Sequence, residues 1–187
     1  MNDYASIIMV TFRGGLNNRE ELFQQSIASV LKNTSYPHEL ILIDNTQNNR
    51  DLSIARNMGI KMSTGKWIVI MDDDVEVQPG WLTECIRILK EVPGKRMVTP
   101  VHQPRIGKWE HEPVMGYRCN SRTGSNCMVM PREIFDEIGL FDEGLNVGRT
   151  GVKFIDNQIR QGFSVLLTKV PYAIDRGLRR KSFNINK

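Results

Sequence analysis

The feature that most constrains this chain is the alternation of short apolar runs with segments of helical periodicity. The run SIIMVTF (6–12) precedes REELFQQSIASVLKN (19–33), where apolar residues recur at helical spacing. Further apolar runs follow at HELILID (38–44), KWIVIMD (66–72) and KRMVTPV (95–101), with helical patterns between them. Short strands that alternate with helices favour βαβ units. The sequence therefore predicts an α/β fold with a mainly parallel central sheet flanked by helices.

The second half of the chain is less regular. Residues 102–118 contain two prolines and two glycines with little periodicity, which predicts a long loop. A strand is then predicted at SNCMVMP, a short helix at REIFDEIG, a longer helix at VKFIDNQIRQG and a final strand at FSVLLTKV. No internal repeat interrupts this order, so the 187 residues predict a single domain.

Composition excludes several classes of protein. No stretch approaches the roughly 18 to 20 apolar residues of a membrane-spanning helix, and the first ten residues lack the features of a secretory signal. The three cysteines have no metal-ligand spacing, and their odd number argues against a disulfide framework. We therefore expect reduced thiols in a cytoplasmic protein.

The net charge of +4 is modest, and much of the excess lies in the C-terminal stretch DRGLRRKSFNINK. A solvated tail is the first interpretation, and a peripheral contact with an anionic membrane surface or a phosphorylated acceptor is the alternative. Basic residues interleaved with aromatic ones are absent from the sequence, so no nucleic-acid partner is expected.

Carboxylates follow two of the predicted strands. Asp72 ends the run KWIVIMD and is followed by Asp73 and Asp74, and Asp44 ends HELILID. In open α/β sheets, ligands bind outside the carboxyl ends of the strands. Clustered like charges require a counter-cation, and Mg²⁺ or Mn²⁺ with oxygen ligands meets that need. Asp72 and Asp74 are two residues apart, so on an extended chain they would point to the same side. An acidic turn that caps the next helix is the plainer alternative.

Three segments carry a resemblance to a known family: SIIMVTFRGGLNNREELFQQSIASVL, ELILIDNTQNNRDLSIARNMGIKMSTGKWIVIMDDDVEVQPGWL and TGSNCMVMPREIFDEIGLFDE. In order and spacing they resemble family 2-type glycosyltransferases with the GT-A fold, a Rossmann-like fold of nucleotide-diphospho-sugar transferases. The resemblance implies a UDP- or GDP-sugar donor, a divalent cation and transfer, with inversion, to an acceptor hydroxyl. A hexosyltransferase is expected, and the acceptor would be a glycan, a lipid-linked molecule or a small molecule.

The resemblance also implies a division of the chain and a set of site residues. Residues 1–100 would bind the donor, 101–170 would form the acceptor half, and 171–187 would be the basic tail. The metal ligands would be Asp72 and Asp74. The nucleotide-sugar-binding residues carried over from the family are Thr11, Phe12, Arg13, Asp44, Asn45, Arg56, Asn57, Asp72 and Asp73.

The chain departs from the family where a general base is needed. Similar enzymes carry an acidic pair after the F-D-E segment, but an ungapped alignment places Thr150 and Gly151 there. Asp156 is the nearest downstream carboxylate and is the predicted catalytic residue, although the helical repeat would turn it to another face. The other candidates are Asp142, Glu143, Glu110 and His111.

This departure leaves alternative functions open. One is a non-catalytic module that binds sugar nucleotides or glycans and has lost its base. Another is nucleotidyl transfer, for which FRGGLNNR is a weak phosphate-binding loop. Near the end, Asp175 and Arg176 occupy the place where similar enzymes often carry a histidine that holds the metal or diphosphate. Trp67 and Trp81 are expected in the core, whereas Trp109 is a candidate for stacking on an acceptor sugar.

Overall fold

A computed structural model describes residues 3–12, 19–46, 51–103, 118–119, 126–144 and 147–176. The strands in these residues are β1 Ala5–Thr11, β2 His38–Asp44, β3 Trp67–Asp72, β4 Val75–Val77, β5 Arg96–Gln103, β6 Arg118–Cys119, β7 Cys127–Pro131 and β8 Ser164–Asp175. The helices are α1 Arg19–Asn33, α2 Leu52–Met62, α3 Trp81–Glu91, α4 Ile134–Ile138 and α5 Val147–Arg160.

The strands form one sheet in the order β2-β1-β3-β7-β5-β8-β4, and β6 pairs with β8. β1 runs parallel to β2 and β3, and β5 runs parallel to β8. β7 lies antiparallel between β3 and β5, and β4 and β6 are antiparallel to β8. Most residue pairs are in the parallel ladders, so the predicted α/β fold with a mainly parallel sheet is confirmed.

Two apolar layers cover the sheet because side chains alternate along each strand. On β3, Trp67, Val69 and Met71 join a buried cluster that includes residues of α1 and α3. Ile68 and Ile70 join a second cluster that includes residues of α2, α4 and α5. Asp72 follows Ile68 and Ile70 at the same two-residue spacing, so it faces the side of the sheet that α2 covers, which we call the α2 layer; the opposite side, covered by α1, is the α1 layer.

The predicted elements largely coincide with the observed ones, and the differences concern short or interrupted segments. β4 and β6 were not predicted because three and two residues are too few to show alternation. α5 begins at Val147, five residues before the start of the predicted helix VKFIDNQIRQG. β8 extends to Asp175, five residues beyond the predicted end.

Several side chains have the buried positions expected from the sequence. Trp67 and Trp81 both belong to the core, as predicted. Cys85 and Cys127 are free and buried, and burial raises the pKa of both thiols. Within the described residues, no helix combines the length and apolar character that crossing a membrane requires.

Candidate functional site

The carboxyl ends of three adjacent parallel strands meet at one edge of the sheet. In the register of these strands, Thr11 lies opposite Asp44, and Val10 lies opposite Asp72. The chain beyond β2 stays close to β1, because the backbone N–H of Asn45 donates to Thr11 O at 2.9 Å. Asp44 is exposed and its Oδ1 accepts from the Thr46 N–H at 2.9 Å. The structure thus brings the predicted donor residues of β1, β2 and β3 to a common edge.

Arg56 of α2 is bound to the first aspartate of the run. Its Nη2 donates to Asp72 Oδ1 at 2.8 Å, and its guanidinium carbon lies 5.3 Å from the centroid of the Phe141 ring. The side chain is only 2% exposed, which excludes a solvated surface charge. Its other terminal nitrogen, Nη1, is buried and has no hydrogen-bond partner among the residues that the structure describes. Asp72 is 36% exposed, so this ion pair opens to solvent on the carboxylate side.

Asp73, in contrast, is bound on both sides by the protein itself. Its Oδ2 accepts from the backbone N–H of Phe12 at 3.2 Å, and its Oδ1 lies 3.4 Å from Arg19 Nη1. Burial raises the pKa of Asp73, while the charge of Arg19 and the Phe12 N–H act in the opposite direction. The described contacts give Asp73 a structural task, which is to hold the end of β1 against the turn after β3.

Asp74 has its own cationic neighbour in the first residue of α1. Arg19 Nη1 lies 3.2 Å from Asp74 Oδ2, and the side chains of the two residues are 14% and 15% exposed. The backbone of Asp74 is held as well, because Arg176 N–H donates to its carbonyl oxygen at 2.9 Å. Arg19 therefore lies between Asp73 and Asp74. The sequence offered Arg19 only as a basic residue of the weak phosphate-binding loop FRGGLNNR, and its contact with the aspartates was missed because it joins residues more than fifty positions apart.

The expectation that Asp72 and Asp74 point to the same side is not met by their ion pairs. β3 ends at Asp72, and the chain turns at residues 73–74 instead of staying extended. Asp72 consequently pairs with a cation of the α2 layer and Asp74 with a cation of the α1 layer.

The donor set limits how a divalent cation could be held. Among the described residues, no three His, Cys, Asp or Glu side chains form a group suited to a metal ion. Asp72 and Asp74 offer carboxylate oxygens, and a hard cation completes such a shell with phosphate and water oxygens. The residues present therefore fit a cation that arrives with a phosphorylated ligand, and the metal roles of Asp72 and Asp74 stay a prediction.

Hydrogen bonds from α2 and its N-cap residue also fix residues 141–144, which we call the FDEG segment. Asn57 accepts from the Phe141 N–H at 3.0 Å and donates to Phe141 O at 2.9 Å and Glu143 Oε1 at 3.0 Å. Ser53 Oγ donates to Asp142 O at 2.6 Å. Asp51, which caps α2, accepts from the Gly144 N–H at 2.6 Å. The described contacts of Asn57 thus position the FDEG segment, and its predicted contact with nucleotide stays a prediction.

The residues in place of the family's acidic pair are buried. Thr150 and Gly151 lie inside α5, whereas Asp156 is exposed on the same uninterrupted helix. Asp142 pairs with Lys153 at 2.9 Å, both side chains being more than half exposed. The catalytic role of Asp156 is tested by none of these contacts and stays a prediction.

Some predicted residues fall outside the described part of the chain. These are Arg13, Trp109, Glu110, His111 and the tail from 177 onward, so the membrane contact predicted for that tail is also untested. Arg176, considered for the diphosphate, instead donates to Glu76 through Nε at 2.7 Å and Nη2 at 3.2 Å.

Comparisons with known proteins identify the matching family. The description "Glycosyl transferase family 2" matches residues 45–115, which include Arg56 and the aspartate run. The chain is 26% identical over 191 residues to "Glucosyl-dolichyl phosphate glucuronosyltransferase" of Haloferax volcanii, a match that covers 81% of this chain and 59% of that protein. It is also 26% identical over 205 residues to the uncharacterized protein y4gI of Sinorhizobium fredii, covering 81% of this chain and 22% of the relative.

A structural comparison agrees with the sequence matches. The crystal structure of GalNAc-T7 with UDP, GalNAc and Mn²⁺ superposes with a TM-score of 0.69 at 18% identity, covering 91% of this chain and 43% of the other. The predicted resemblance to family 2-type glycosyltransferases with the GT-A fold is therefore confirmed. The chain spans about three fifths, a fifth and two fifths, respectively, of the lengths of these three proteins.

Proposed function

We propose that this chain, a family 2-type glycosyltransferase with the GT-A fold, transfers a sugar from a nucleoside-diphosphate sugar to an acceptor hydroxyl. The observation that carries the proposal is Arg56, a buried guanidinium at the carboxyl edge of the sheet. One of its nitrogens contacts Asp72, and another has no partner in the described part of the chain.

The unpartnered nitrogen matters because a buried donor without an acceptor costs about 1–3 kcal/mol, and more when it is charged. A phosphate oxygen would satisfy Arg56 Nη1 with a charge-assisted hydrogen bond. The partly exposed carboxylate of Asp72 lies on the same guanidinium. An anionic ligand accompanied by a cation would therefore balance both groups, and a nucleoside diphosphate with a divalent metal has this composition.

The metal would be held by Asp72 and Asp74, with Mn²⁺ or Mg²⁺ as the candidates. When bound, such an ion stabilises the negative charge that develops on the departing diphosphate. The protein residues would supply the rest of the site. Asp44 and Asn45 would contact the base at the end of β2, and Thr11 and Phe12 would line the pocket at the end of β1. Asp73 would hold this wall in place through the Phe12 N–H.

The choice of donor and acceptor follows from the relatives. The GalNAc-T7 structure contains UDP, so a UDP-sugar is the first donor to test and a GDP-sugar the second. The Haloferax volcanii relative is named for a glucuronosyl group and a glucosyl-dolichyl phosphate. UDP-glucuronate and a lipid-linked acceptor are accordingly the first specific pair, followed by glycan and small-molecule acceptors. We further propose inversion at the sugar carbon, as the resemblance implies.

A non-catalytic donor-binding module is the second candidate, and one observation favours it. Thr150 and Gly151 are buried where the family carries acids, and neither residue can act as a general base toward an acceptor hydroxyl. Asp156 on the exposed surface of α5 would then have no catalytic part.

The two candidates are separated by measuring release of nucleoside diphosphate. Purified chain with Mn²⁺ is given a panel of UDP- and GDP-sugars, with and without acceptors, and free UDP or GDP is quantified. We expect acceptor-stimulated release that falls at least about a hundredfold in Asp74→Ala, the scale on which removing a group that stabilises transition-state charge acts. Donor binding with neither transfer nor hydrolysis would contradict catalysis and establish the binding module.

A further inference from the structure

Arg19 occupies a position for which the proposed transfer gives no reason. It is the first residue of α1, and its Nη1 lies 3.4 Å from Asp73 Oδ1 and 3.2 Å from Asp74 Oδ2. One nitrogen thus bridges two neighbouring carboxylates that would otherwise repel each other. The Arg19 side chain is 14% exposed, so solvent screens these contacts less than it screens a surface ion pair.

The two bridged carboxylates differ in what else they can do. Asp73 is buried and already accepts from the Phe12 N–H, so its place in the wall of the site does not depend on Arg19 alone. Asp74 is the carboxylate proposed to hold the cation. A divalent ion bound to the Asp74 carboxylate would lie close to the Arg19 guanidinium, and the two positive charges would repel each other.

We propose that Arg19 is an internal counter-cation that competes with the divalent metal for Asp74, which makes it a positioning residue for metal binding. This inference rests on the proposed function. The metal binds Asp74 only after Arg19 has moved away, so the protein without nucleotide has a weak affinity for metal. The diphosphate of the donor offers Arg19 a new anionic partner. Nucleotide and metal therefore bind cooperatively, each raising the affinity for the other by the same factor.

The test is Mn²⁺ binding by the full-length chain, followed through the paramagnetic resonance signal of free Mn²⁺ with and without UDP. The central variant is Arg19→Gln, which removes the charge and keeps a polar side chain. Arg19→Lys keeps the charge and serves as a second variant should the glutamine protein fold poorly. Arg87→Gln is the matched control, because Arg87 also bridges two carboxylates, Glu84 and Glu91, but on the outer surface of α3.

Without UDP, we expect Arg19→Gln to bind Mn²⁺ roughly tenfold more tightly than the wild type, a factor that corresponds to 1.4 kcal/mol. Arg19→Lys should stay within about threefold of the wild type, since the competing charge remains. Arg87→Gln should leave the affinity unchanged. The factor by which UDP strengthens Mn²⁺ binding should shrink in Arg19→Gln, whereas a purely structural role of Arg19 would weaken both ligands together.

Several outcomes would overturn the inference. Unchanged or weaker Mn²⁺ binding by Arg19→Gln would show that Arg19 does not compete with the metal. If the wild type nevertheless bound UDP, the proposed function would not be contradicted by this result. Binding of UDP with no Mn²⁺ binding by any variant would likewise remove the competition and establish metal-independent donor binding. Tighter Mn²⁺ binding by Arg19→Gln, with binding of neither UDP nor GDP by any of the proteins, would instead contradict the proposed function and keep the competition.

Discussion

At the scale of single residues, three adjacent aspartates have three different environments. Asp72 is partly exposed beside the buried Arg56, Asp73 is buried against the Phe12 N–H, and Asp74 faces Arg19. The resemblance predicted that the run forms a site, but it could not distinguish these roles. Which carboxylate is buried depends on how the chain turns at residues 73–74 and on which helix supplies the nearest arginine, and neither is readable from local spacing.

Glu39 illustrates how hydrogen bonding determines the charge of a partly buried group. Burial acts to raise the pKa of Glu39, but hydrogen bonds from Ser6 and Thr64 outweigh it and lower that pKa. Its Oε1 accepts from Ser6 Oγ at 2.6 Å and from the Thr64 N–H at 2.9 Å. A lowered carboxyl pKa stabilises the fold above the ordinary pKa, and the contribution is lost as the pH falls through the lowered value.

We predict that Glu39→Gln lowers the free energy of unfolding by about 1 kcal/mol at pH 7, the usual net contribution of one hydrogen bond. The deficit should shrink as the pH falls below about 4, where the wild-type carboxyl also becomes neutral. Urea denaturation from pH 7 to pH 3 measures it, and Glu91→Gln, an exposed carboxylate on α3, is the control. A deficit that is constant over this range would contradict the role of the charge.

At the scale of helices and strands, predictability follows length. β1, β2 and β3 have six or seven residues and end in polar side chains, so their sequence pattern was sufficient to predict each strand. β4 and β6 exist because β8 provides a ladder for them, which is long-range information. α5 includes the buried Gly151, although helix propensity alone disfavours glycine inside a helix.

The contact of α2 with β1 makes a stringent prediction about Gly59. A Cβ at this position would overlap Ile8 Cγ2. Gly59→Ala should therefore destabilise the protein by about 1–3 kcal/mol, the cost of overpacking, although alanine is the better helix former. Urea denaturation measures the change, and Lys61→Ala, exposed on the same helix, should be nearly neutral.

A double-mutant cycle separates this clash from other effects of the alanine. Adding Ile8→Ala removes the overlapped atom, so the Gly59→Ala cost should fall by at least about 1 kcal/mol in that background. Strictly additive losses would contradict the packing of α2 on β1 described here.

At the scale of the whole molecule, the sheet order explains why the donor side was predicted better than the acceptor side. The parallel strands β1, β2 and β3 alternate along the chain with helices α1 and α2. Local patterns in the sequence were therefore sufficient to predict these elements. The second part depends on β7 and β8 inserting between and beside earlier strands, at long sequence separation. The division into a donor half and an acceptor half at residue 100 stays a prediction. Residue 100 lies within β5, which pairs with both β7 and β8.

The central claim is that Arg56, Asp72 and Asp74 form a platform for a nucleoside diphosphate and a divalent cation. Its most direct test is a calorimetric titration of UDP and GDP, with and without Mn²⁺, into the wild type, Arg56→Lys and Asp74→Ala. Arg160→Lys, on the exposed end of α5, is the control for Arg56→Lys. We predict Mn²⁺-dependent binding of one nucleotide, at least about tenfold weaker in Arg56→Lys because lysine lacks the planar fork that directs separate nitrogens to Asp72 and to a phosphate. Asp74→Ala should lose the Mn²⁺ dependence. Absence of binding of either nucleotide under every condition would contradict the account.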